Sequence, residues 1–354
     1  MSIFDGLWRT LSRGYTRPDT TAFSFEQDWA GVLAELGLPA HTLRDVVAAG
    51  SLHPHFRYRH FSKAKKDGSR REIAEPDARL KRIQREILRR HLAAETPHPA
   101  AVAYQPGRST ADHVWAHAGA AVIVTADVRD FFPSTSAHRV GDWWRARVDD
   151  DTARLFTRLT TDRGGLPQGA PTSPALSNLV NVEMDSRLAR RAAAVRARYT
   201  RYCDDLAFSW ETDLGPTSDF EAAVRGILTE FGYAPHPTKG WRIYQRYDEP
   251  EVTGLVLTET GGVRLPDRLG RVMWNLGEGK RPSDDARLNG YRGYSVMVSR
   301  RPKRPRPAAP MKPFESAAAA YRDEPVGSEL PDERLDEMEP DDWEGDDSDD
   351  RPPF

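Results

Sequence analysis

Residues 202–205 read Tyr-Cys-Asp-Asp and lie between a strand-like stretch, 197–201, and an apolar and aromatic run, 206–210. This order predicts a tight β-hairpin that carries two carboxylates, Asp204 and Asp205, at its tip. Adjacent like charges repel each other, and a bound divalent cation is the simplest way to offset that repulsion. Adjacent aspartates are also common in surface turns for local hydrogen-bonding reasons. The hairpin therefore predicts a metal-dependent phosphoryl-transfer site where the surrounding sequence supports it.

Two further motifs lie upstream of the hairpin. Residues 121–128 read as a buried strand ending in an acid, Asp127, and residues 129–134 follow it with the sequence Arg-Asp-Phe-Phe-Pro-Ser. Residues 164–178 form a loop rich in glycine and proline, which contains Leu-Pro-Gln-Gly and runs into a helix-like stretch. The chain thus presents, in order, an acid-ended strand, a Gln-Gly loop and an Asp-Asp hairpin.

This order of motifs resembles the palm of a reverse transcriptase, and the motif sequences are similar to those of the bacterial retron-type branch. The resemblance spans residues 57–257. It implies an α+β fold, in which a right-hand polymerase has fingers, a palm made of a small antiparallel sheet backed by helices, and a short helical thumb. The implied division is N-terminal helices and fingers over 1–120, palm over 121–257, reduced thumb and basic arm over 258–322, and a disordered acidic tail over 323–354.

Periodic patterns predict the helices and strands around these motifs. Helices are expected over residues 24–37, 42–50, 77–94, 136–161, 178–197, 219–232 and 286–298. Residues 55–61 and 71–74 read as the two strands of a fingers hairpin, and residues 251–257 and 262–266 as short strands. The basic face of the helix over 77–94 fits either a solvated surface or contact with phosphates.

The resemblance implies catalysis with two Mg²⁺ ions, which prefer hard oxygen ligands. It assigns Asp127 and Asp204 as the pair that bridges the two ions, and it puts the backbone carbonyl of Val128 at the nucleotide-side ion. Asp205 is the secondary acid, oriented toward the primer end. In the alternative interpretation these residues are ordinary strand-end and turn acids.

The resemblance also assigns residues to the incoming nucleotide. Phe132, five residues past Asp127, matches an aromatic residue under the sugar, where a ring collides with a ribose 2′-hydroxyl and so selects deoxynucleotides. Of Phe131 and Phe132, one is expected to be core packing. Gln168 matches the position that contacts the nucleotide, and Gly169 lets the backbone approach the substrate closely because it has no side chain.

Basic residues complete the predicted nucleotide site. Arg71 resembles the fingers arginine that clamps the triphosphate, since a guanidinium suits bidentate phosphate contact, and Arg70 is its competitor. Lys239 resembles the palm lysine near the nucleotide phosphates, a proton donor to pyrophosphate; the alternative is a solvated surface lysine. A second fingers cation is expected among Lys63, Lys65 and Lys66.

Val252, Thr253 and Gly254 match a retron signature, which the resemblance assigns to recognition of the enzyme's own structured RNA. A second landmark, an Asn-Ala-x-x-His box after Gly-Arg-Ser, is altered, because the box here begins at His113 and keeps only the final histidine, His117. The i, i+4 spacing of these histidines suits a metal pair, but the pattern supplies no further ligands. Structural or RNA-facing roles are therefore expected for both.

Charge divides the chain near its end. Residues 323–354 carry fifteen acids against two arginines, whereas residues 1–322 carry 49 basic residues against 38 acids. The basic part, residues 1–322, suits a protein that neutralises phosphates. Arg300 and Arg301 begin a proline-rich basic arm, which is expected to bind RNA. The acidic end has too few apolar residues to fold and is expected to be disordered. It either shields the basic arm or aids solubility.

The sequence also indicates in which cellular compartment the protein is expected. No apolar run approaches the roughly 20 residues needed to cross a bilayer, and the first residues lack a signal pattern, so a cytoplasmic protein without membrane contact is expected. The single cysteine, Cys203, cannot form an internal disulfide and is interpreted as a small packed side chain.

Resemblance to retrons implies that a cognate noncoding RNA, as template and primer, is copied from dNTPs into a short single-stranded DNA. It also implies an effector protein as a possible partner and a role in anti-phage defence. The altered His113 box leaves open a non-retron bacterial defence reverse transcriptase. A non-catalytic RNA-binding scaffold is the alternative from a different class, favoured by the basic part and acidic tail.

Overall fold

The structure is a computed structural model that describes residues 25–49, 52, 54–64, 70–237, 240–278 and 282–300. Within these residues the chain forms two compact units. The first unit takes the segments 25–98, 128–187 and 224–235, and the second takes 99–127, 188–223 and 236–300. The four domains predicted above are consecutive segments defined by their expected roles. The two units are defined by packing contacts, so they do not test that prediction. The predicted disordered tail lies outside the described residues.

The first unit begins with two helices, α1 (Phe25–Glu35) and α2 (Thr42–Ala49). An antiparallel hairpin follows, made of β1 (Tyr58–Ala64) and β2 (Arg70–Pro76), and then helix α3 (Ala78–Ile87). β1 pairs with β2 along its length, and α1, α2 and α3 fall within the predicted helical ranges. The predicted N-terminal helices, the hairpin and the basic helix are therefore confirmed.

Three arginines of α3 and of the π-helical turn that follows it (Leu88–Leu92) form ion pairs within the protein. Glu86 is only 5% exposed and receives the guanidinium groups of Arg82, Arg89 and Arg90 at 2.8, 2.7 and 3.0 Å. Arg82 also pairs with Glu35 of α1 at 2.9 Å. These contacts favour the packing interpretation of the helix over a phosphate-contacting face.

Further helices of the first unit are α5 (Phe131–Ser134), α6 (Ala137–Arg145), α7 (Asp150–Thr160) and α8 (Ser173–Val180). The single helix predicted over residues 136–161 is wrong, because the chain leaves helical conformation after α6. Asp149 begins the next helix, and its side chain accepts a hydrogen bond of 2.9 Å from the Thr152 N–H. An aspartate in this capping position satisfies an amide that a new helix leaves unpaired.

A second break separates α8 from α9 (Val182–Ala194), so the single helix predicted over residues 178–197 is also wrong. Asn181 lies at the break and is fully buried. Its side-chain amide donates to the Ser177 carbonyl and to the Tyr233 hydroxyl, both at 2.8 Å. A buried polar side chain that is satisfied in this way fixes the change of helix direction.

The core of the first unit is apolar and aromatic. Trp144 and Phe156 lie with their ring centroids 4.8 Å apart, and Trp29 packs edge-on against Phe156. Leu80 and Ile83 reach the same cluster from α3 and are fully buried. Burial of aromatic and aliphatic side chains of this size is the main source of stability for the unit.

The central sheet is antiparallel and has the order β4-β5-β3, with β6 and β7 both on the remaining edge of β3. Its strands are β3 (Val122–Arg129), β4 (Arg198–Tyr202), β5 (Asp205–Trp210), β6 (Ala234–Pro235) and β7 (Arg242–Gln245). Helices α4 (Thr110–Trp115) and α10 (Ser218–Glu230) complete this part of the chain. The predicted acid-ended strand and Asp-Asp hairpin are confirmed as β3 and as β4 with β5.

The remaining elements belong to the second unit. They are β8 (Glu251–Val252), β9 (Leu255–Leu257), β10 (Val263–Arg264), α11 (Asp267–Glu278) and α12 (Pro282–Ser299). Val252, Leu255 and Tyr294 share one apolar cluster with residues of α4. No helix in the described part of the chain has the length and apolar character required to span a bilayer. Antiparallel sheets combined with helices confirm the predicted α+β class.

Position 165, in the loop that precedes Gly169, is expected to require glycine. A Cβ at Gly165 would lie 2.1 Å from the Pro133 carbonyl oxygen, which is backbone and cannot rotate away. Gly165→Ala is therefore expected to lower the free energy of unfolding by roughly 1–3 kcal/mol, measured by urea denaturation.

Gly226 is the matched control, because it lies in α10 and a Cβ there meets nothing within 4 Å. Gly226→Ala is expected to leave stability unchanged or raised by up to about 1 kcal/mol, since alanine is the better helix former. Equal unfolding midpoints for the two variants would contradict the close approach at position 165.

Candidate active site

Asp127 lies directly opposite Asp205 in the antiparallel ladder between β3 and β5. Residues opposed in this way point to the same face of a sheet with Cβ atoms ~5 Å apart. Both aspartates are half-buried. Two carboxylates held at this spacing repel each other, so the pair favours a bound cation. The sheet thus brings together two of the three acids singled out in the sequence.

The third acid, Asp204, lies in the two-residue turn that joins β4 to β5. Tyr202 and Asp205 are paired across this turn, and Cys203 has a left-handed φ of 59° whereas Asp204 does not. A positive φ at the first turn residue alone is typical of a type II′ turn, where glycine is normally preferred. A non-glycine residue in this conformation costs on the order of 1–3 kcal/mol, and such residues concentrate at functional sites. Asp204 forms no ion pair with any described residue.

Cys203 is held by contacts that the sequence did not indicate. The Tyr104 hydroxyl donates a hydrogen bond to its Sγ atom at 3.1 Å, across 99 positions of sequence. The guanidinium of Arg201, fully buried, donates to the Cys203 carbonyl at 3.0 Å. Burial, followed by the charge of Asp204, raises the pKa of the thiol. Cys203 is therefore a neutral, packed side chain, as expected from the sequence.

His113 and His117 form part of a buried polar chain behind the hairpin. Thr200 lies between them, with its hydroxyl 2.7 Å from His113 Nδ1 and 2.7 Å from His117 Nε2, and His117 Nδ1 lies 2.7 Å from the Ser209 hydroxyl. Burial lowers the pKa of His113 to about 3, with Arg201 contributing, and lowers that of His117 well below its usual value. Neither side chain is exposed. Their role is structural, and the RNA-facing alternative is wrong.

In the first unit, the Gln168–Gly169 loop lies against β2. The Gln168 carbonyl accepts a hydrogen bond of 2.9 Å from the Ala74 N–H. Gly169 has a φ of 129°, and a Cβ there would lie 3.0 Å from the Ala74 carbonyl oxygen and 3.3 Å from a methyl group of Ile73. Glycine is needed here both for its backbone conformation and for this close approach. The loop is thereby fixed beside the strand that carries Arg71.

Arg71 is exposed and lies directly opposite Lys63 in the β1–β2 ladder. It forms no ion pair with another described residue, whereas Arg70 donates to the Ser62 hydroxyl at 2.5 Å. Like charges directly opposite each other destabilise a hairpin unless an anion lies between them. This arrangement favours Arg71 over Arg70 as the phosphate ligand and favours Lys63 as the second cation. Lys65, one alternative, lies outside the described residues, as does Lys66.

Phe131 and Phe132 have different environments. Phe131 is 3% exposed and stacks on Tyr233 with a centroid distance of 5.3 Å, so it is the core residue of the two. Phe132 is only partly buried. Its carbonyl accepts a hydrogen bond of 3.2 Å from the Leu166 N–H, which joins it to the start of the Gly169 loop.

The Val-Thr-Gly signature forms a hairpin turn, so the single strand predicted over residues 251–257 is wrong. Val252 pairs with Leu255, and Thr253 and Gly254 have φ values of 46° and 81°, the pattern of a type I′ turn. Val252 is buried in the apolar cluster. The Thr253 hydroxyl is buried without a hydrogen-bond partner among the described residues. A β-branched residue with positive φ and an unsatisfied hydroxyl is unusual for a purely structural turn.

The other predicted site residues lie as follows. Val128 is 1% exposed and pairs with Pro235. Arg300 is exposed and follows directly after α12. Lys239 and Arg301 lie outside the described residues, so their predicted roles stay predictions.

The donors available at the Asp204 hairpin suit a hard divalent cation. They are the carboxylates of Asp127, Asp204 and Asp205 and the carbonyl of Val128, all of them oxygen ligands. Among the described residues, no group of three or more His, Cys, Asp or Glu side chains could hold a metal ion by itself. Magnesium usually takes one or two carboxylates and completes its coordination with water and substrate phosphates. The residues present fit that mode of binding.

Comparison with known proteins places this arrangement in a family. Residues 63–240 match the reverse transcriptase (RNA-dependent DNA polymerase) family. Retron Mx162 reverse transcriptase from Myxococcus xanthus is 31% identical over 310 residues, which are 77% of this chain and 64% of that protein. Retron Mx65 reverse transcriptase from the same organism is 31% identical over 305 residues, 75% of this chain and 71% of that protein. Retron Ec86 reverse transcriptase from Escherichia coli is 34% identical over 214 residues, 58% of this chain and 64% of that protein.

The antiparallel sheet with its paired acids thus lies in a chain that matches a family of nucleic-acid polymerases, in which metal dependence is general. The chain belongs to the reverse transcriptase family, and within it to the retron type. It matches 64% of the length of the Mx162 protein.

Acid is expected to destabilise the fold through His113 and His117. Both are neutral in the folded protein because burial lowers their pKa, whereas a histidine in the unfolded chain titrates near 6.5. Below that pH the unfolded state binds more protons. Each histidine is therefore expected to lower the free energy of unfolding by up to about 1.4 kcal/mol per pH unit as the pH falls below ~6.5.

His117→Gln keeps a polar side chain but removes the titrating group. Its free energy of unfolding, measured by urea denaturation between pH 7 and pH 5, is expected to depend less steeply on pH, by about one proton. A variant that follows the wild-type slope would contradict the neutral, buried state of His117.

Proposed function

We propose that this chain is an RNA-directed DNA polymerase of retron type that copies a cognate structured noncoding RNA into a short single-stranded DNA. The RNA is both template and primer, and dNTPs are the substrates. The observation that carries the proposal is the register of Asp127 against Asp205, with Asp204 in the adjoining turn, in a chain of the reverse transcriptase family. A role in anti-phage defence, with an effector protein as a further partner, is part of the proposal.

Mg²⁺ is the proposed cofactor, as two ions held by Asp127 and Asp204 with the Val128 carbonyl as a further ligand. When bound, the ions activate the primer hydroxyl and neutralise the pyrophosphate that leaves. The β3–β5 ladder supports this assignment because it keeps Asp127 beside the hairpin that carries Asp204. Asp205 acts as the secondary acid that faces the primer end. All three carboxylates must be deprotonated for these roles.

Arg71 and Lys63 are the proposed triphosphate ligands of the fingers hairpin. Their opposed positions on β1 and β2 bring two cationic side chains close enough together to contact one phosphate group. The planar guanidinium of Arg71 can donate two parallel hydrogen bonds to one phosphate, whereas Lys63 acts as a point charge. Lys239 is proposed as a further cation near the phosphates, with the role of donating a proton to pyrophosphate.

The sugar and base of the nucleotide are assigned to Phe132, Gln168 and Gly169. Phe132 is proposed to reject a ribose 2′-hydroxyl by steric collision, and its partly exposed ring is consistent with that role. The hydrogen bond from Ala74 to the Gln168 carbonyl supports a fixed loop at which Gln168 and Gly169 contact the nucleotide.

RNA recognition is proposed for Val252, Thr253 and Gly254 and for the basic arm begun by Arg300 and Arg301. The supporting observation is the Thr253 hydroxyl, which is buried in the free protein without a hydrogen-bond partner among the described residues. Val252 would act through its backbone, because its side chain is buried. Arginine side chains suit the phosphates of RNA.

Asp204→Asn tests the proposal most simply, because it removes a charge while keeping the shape of the side chain. We expect wild-type protein, expressed with its RNA and supplied with Mg²⁺ and dNTPs, to yield DNA joined to the copurified RNA. Asp204→Asn is expected to copurify with the RNA alone and to extend an annealed DNA primer at least about a thousandfold more slowly.

The control is Asp150→Asn on the exposed start of α7, which is expected to behave as wild type. Sequencing of the copurified nucleic acid identifies the RNA and any DNA attached to it. DNA synthesis by Asp204→Asn at the wild-type rate would contradict the proposed active site.

Phe132→Val is expected to reduce discrimination against ribonucleotides, because a smaller side chain leaves room for a 2′-hydroxyl. The ratio of kcat/KM for a dNTP to that for the matching rNTP is expected to fall about tenfold or more. The rate with the dNTP serves as the internal control for a correctly folded site. An unchanged ratio in an active variant would contradict the role of Phe132.

A further inference from the structure

Tyr104 is an unusual residue in the loop that precedes α4. It is not glycine, yet its φ is 61°, in the left-handed region. Its side chain is 48% exposed, which is high for a large aromatic residue whose hydroxyl is already engaged inside the protein. A bulky residue in this conformation is maintained only when its surroundings favour it, and such strain concentrates at functional sites.

The partner of Tyr104 is the strained residue of the Asp204 turn. Its hydroxyl donates to Cys203 Sγ at 3.1 Å, and Cys203 has the φ of 59° described above. Two non-glycine residues with positive φ are thus joined side chain to side chain. Cys203 immediately precedes Asp204, so any rotation of Cys203 also turns the Asp204 backbone.

The backbone before Tyr104 is fastened to the same hairpin. The Arg201 N–H donates to the Ala100 carbonyl, and the Val102 N–H donates to the Arg201 carbonyl, both at 2.7 Å. This segment is buried and runs parallel to β4 at Ala101. Because β4 leads directly into the turn, the segment beside β4 places Tyr104 near the tip of the hairpin.

Two side chains therefore contact Cys203 at different atoms. The fully buried Arg201 donates to its carbonyl oxygen, and the partly exposed Tyr104 donates to its sulfur. Together they restrain the first residue of a turn that would otherwise favour glycine.

We propose that Tyr104 is a positioning residue for polymerisation, which fixes the Cys203–Asp204 turn in the conformation that presents the Asp204 carboxylate to the metal. This inference rests on the proposed function for its catalytic consequence, but the contact itself can be tested separately. Tyr104 does not take part in the reaction; it acts through Cys203.

The contact is tested by thiol labelling, because Cys203 is the single cysteine of the chain. Tyr104→Phe removes only the hydroxyl. In full-length folded protein, its Cys203 is expected to react with 5,5′-dithiobis(2-nitrobenzoate) about fivefold faster per thiolate than in wild type, as for the loss of one hydrogen bond. Rates are compared per thiolate because the Tyr104 hydroxyl, as a donor to sulfur, also favours the thiolate in wild type. Tyr247→Phe, which removes a hydroxyl from a residue that is 71% exposed, is the matched control and is expected to react at the wild-type rate.

The catalytic consequence is tested by primer extension on an RNA template. Tyr104→Phe is expected to raise the Mg²⁺ concentration for half-maximal rate and to lower kcat, each about threefold to tenfold, with the KM for dNTP unchanged. Tyr104→Phe combined with Cys203→Ala is expected to be no slower than Cys203→Ala alone, because both changes remove the same contact.

The two assays separate this inference from the proposed function. Wild-type labelling by Tyr104→Phe overturns the inference, whatever the polymerase assay gives. Faster labelling with an unchanged Mg²⁺ requirement also overturns it, since the contact would then be structural only. A wild-type protein that extends no primer would contradict the proposed function, and the labelling rates would still decide whether Tyr104 restrains the turn.

Discussion

The antiparallel register that sets Asp127 opposite Asp205 is the constraint on which the rest of the candidate site depends. It is fixed by packing, because Val122, Val124, Leu206 and Phe208 share one face of the β3–β5 pair and are all buried. A shift of one residue would move each of these to the opposite face of the sheet. The apolar strands therefore determine where the carboxylates meet, at a position that electrostatics alone would disfavour.

Several locally unfavourable features lie where substrate contact is proposed. They are the opposed acids of β3 and β5, the opposed cations Lys63 and Arg71, and the positive φ of Cys203 and Thr253. Local preferences agree with the fold at the capped start of α7 and in the buried aromatic core, although Arg163, Arg196 and Glu249 also have positive φ. Natural proteins depart from such agreement mainly at functional sites, where a ligand supplies the missing interaction.

Sequence patterns were sufficient for features set by neighbouring residues. The Asp204 hairpin, the acid-ended strand, the fingers hairpin and the amphipathic helices were all predicted, because alternation, helical period and turn residues are local signals. Two of the errors were also local in origin: residues 136–161 and 178–197 each keep a helical pattern through a break, where Asp149 and Asn181 form side-chain hydrogen bonds.

Contacts between residues far apart in the sequence could not be predicted from local patterns. The Tyr104–Cys203 bond joins residues 99 positions apart, and His117 meets Ser209 across 92. The spacing of His113 and His117 predicted a shared helix face, but α4 ends at Trp115, and burial behind the hairpin decided their role. Which lysine opposes Arg71 likewise followed from strand register and could not be assigned from composition.

The central claim is that the Asp204 hairpin and Asp127 form one metal site. Mn²⁺ prefers the same oxygen ligands as Mg²⁺, so its binding can be measured by electron paramagnetic resonance in the full-length protein with an RNA template, a terminated primer and the matching dNTP. We expect bound Mn²⁺ in wild type and in Asp150→Asn, and weaker binding in both Asp127→Asn and Asp204→Asn. Equal Mn²⁺ binding by all four proteins would contradict the claim.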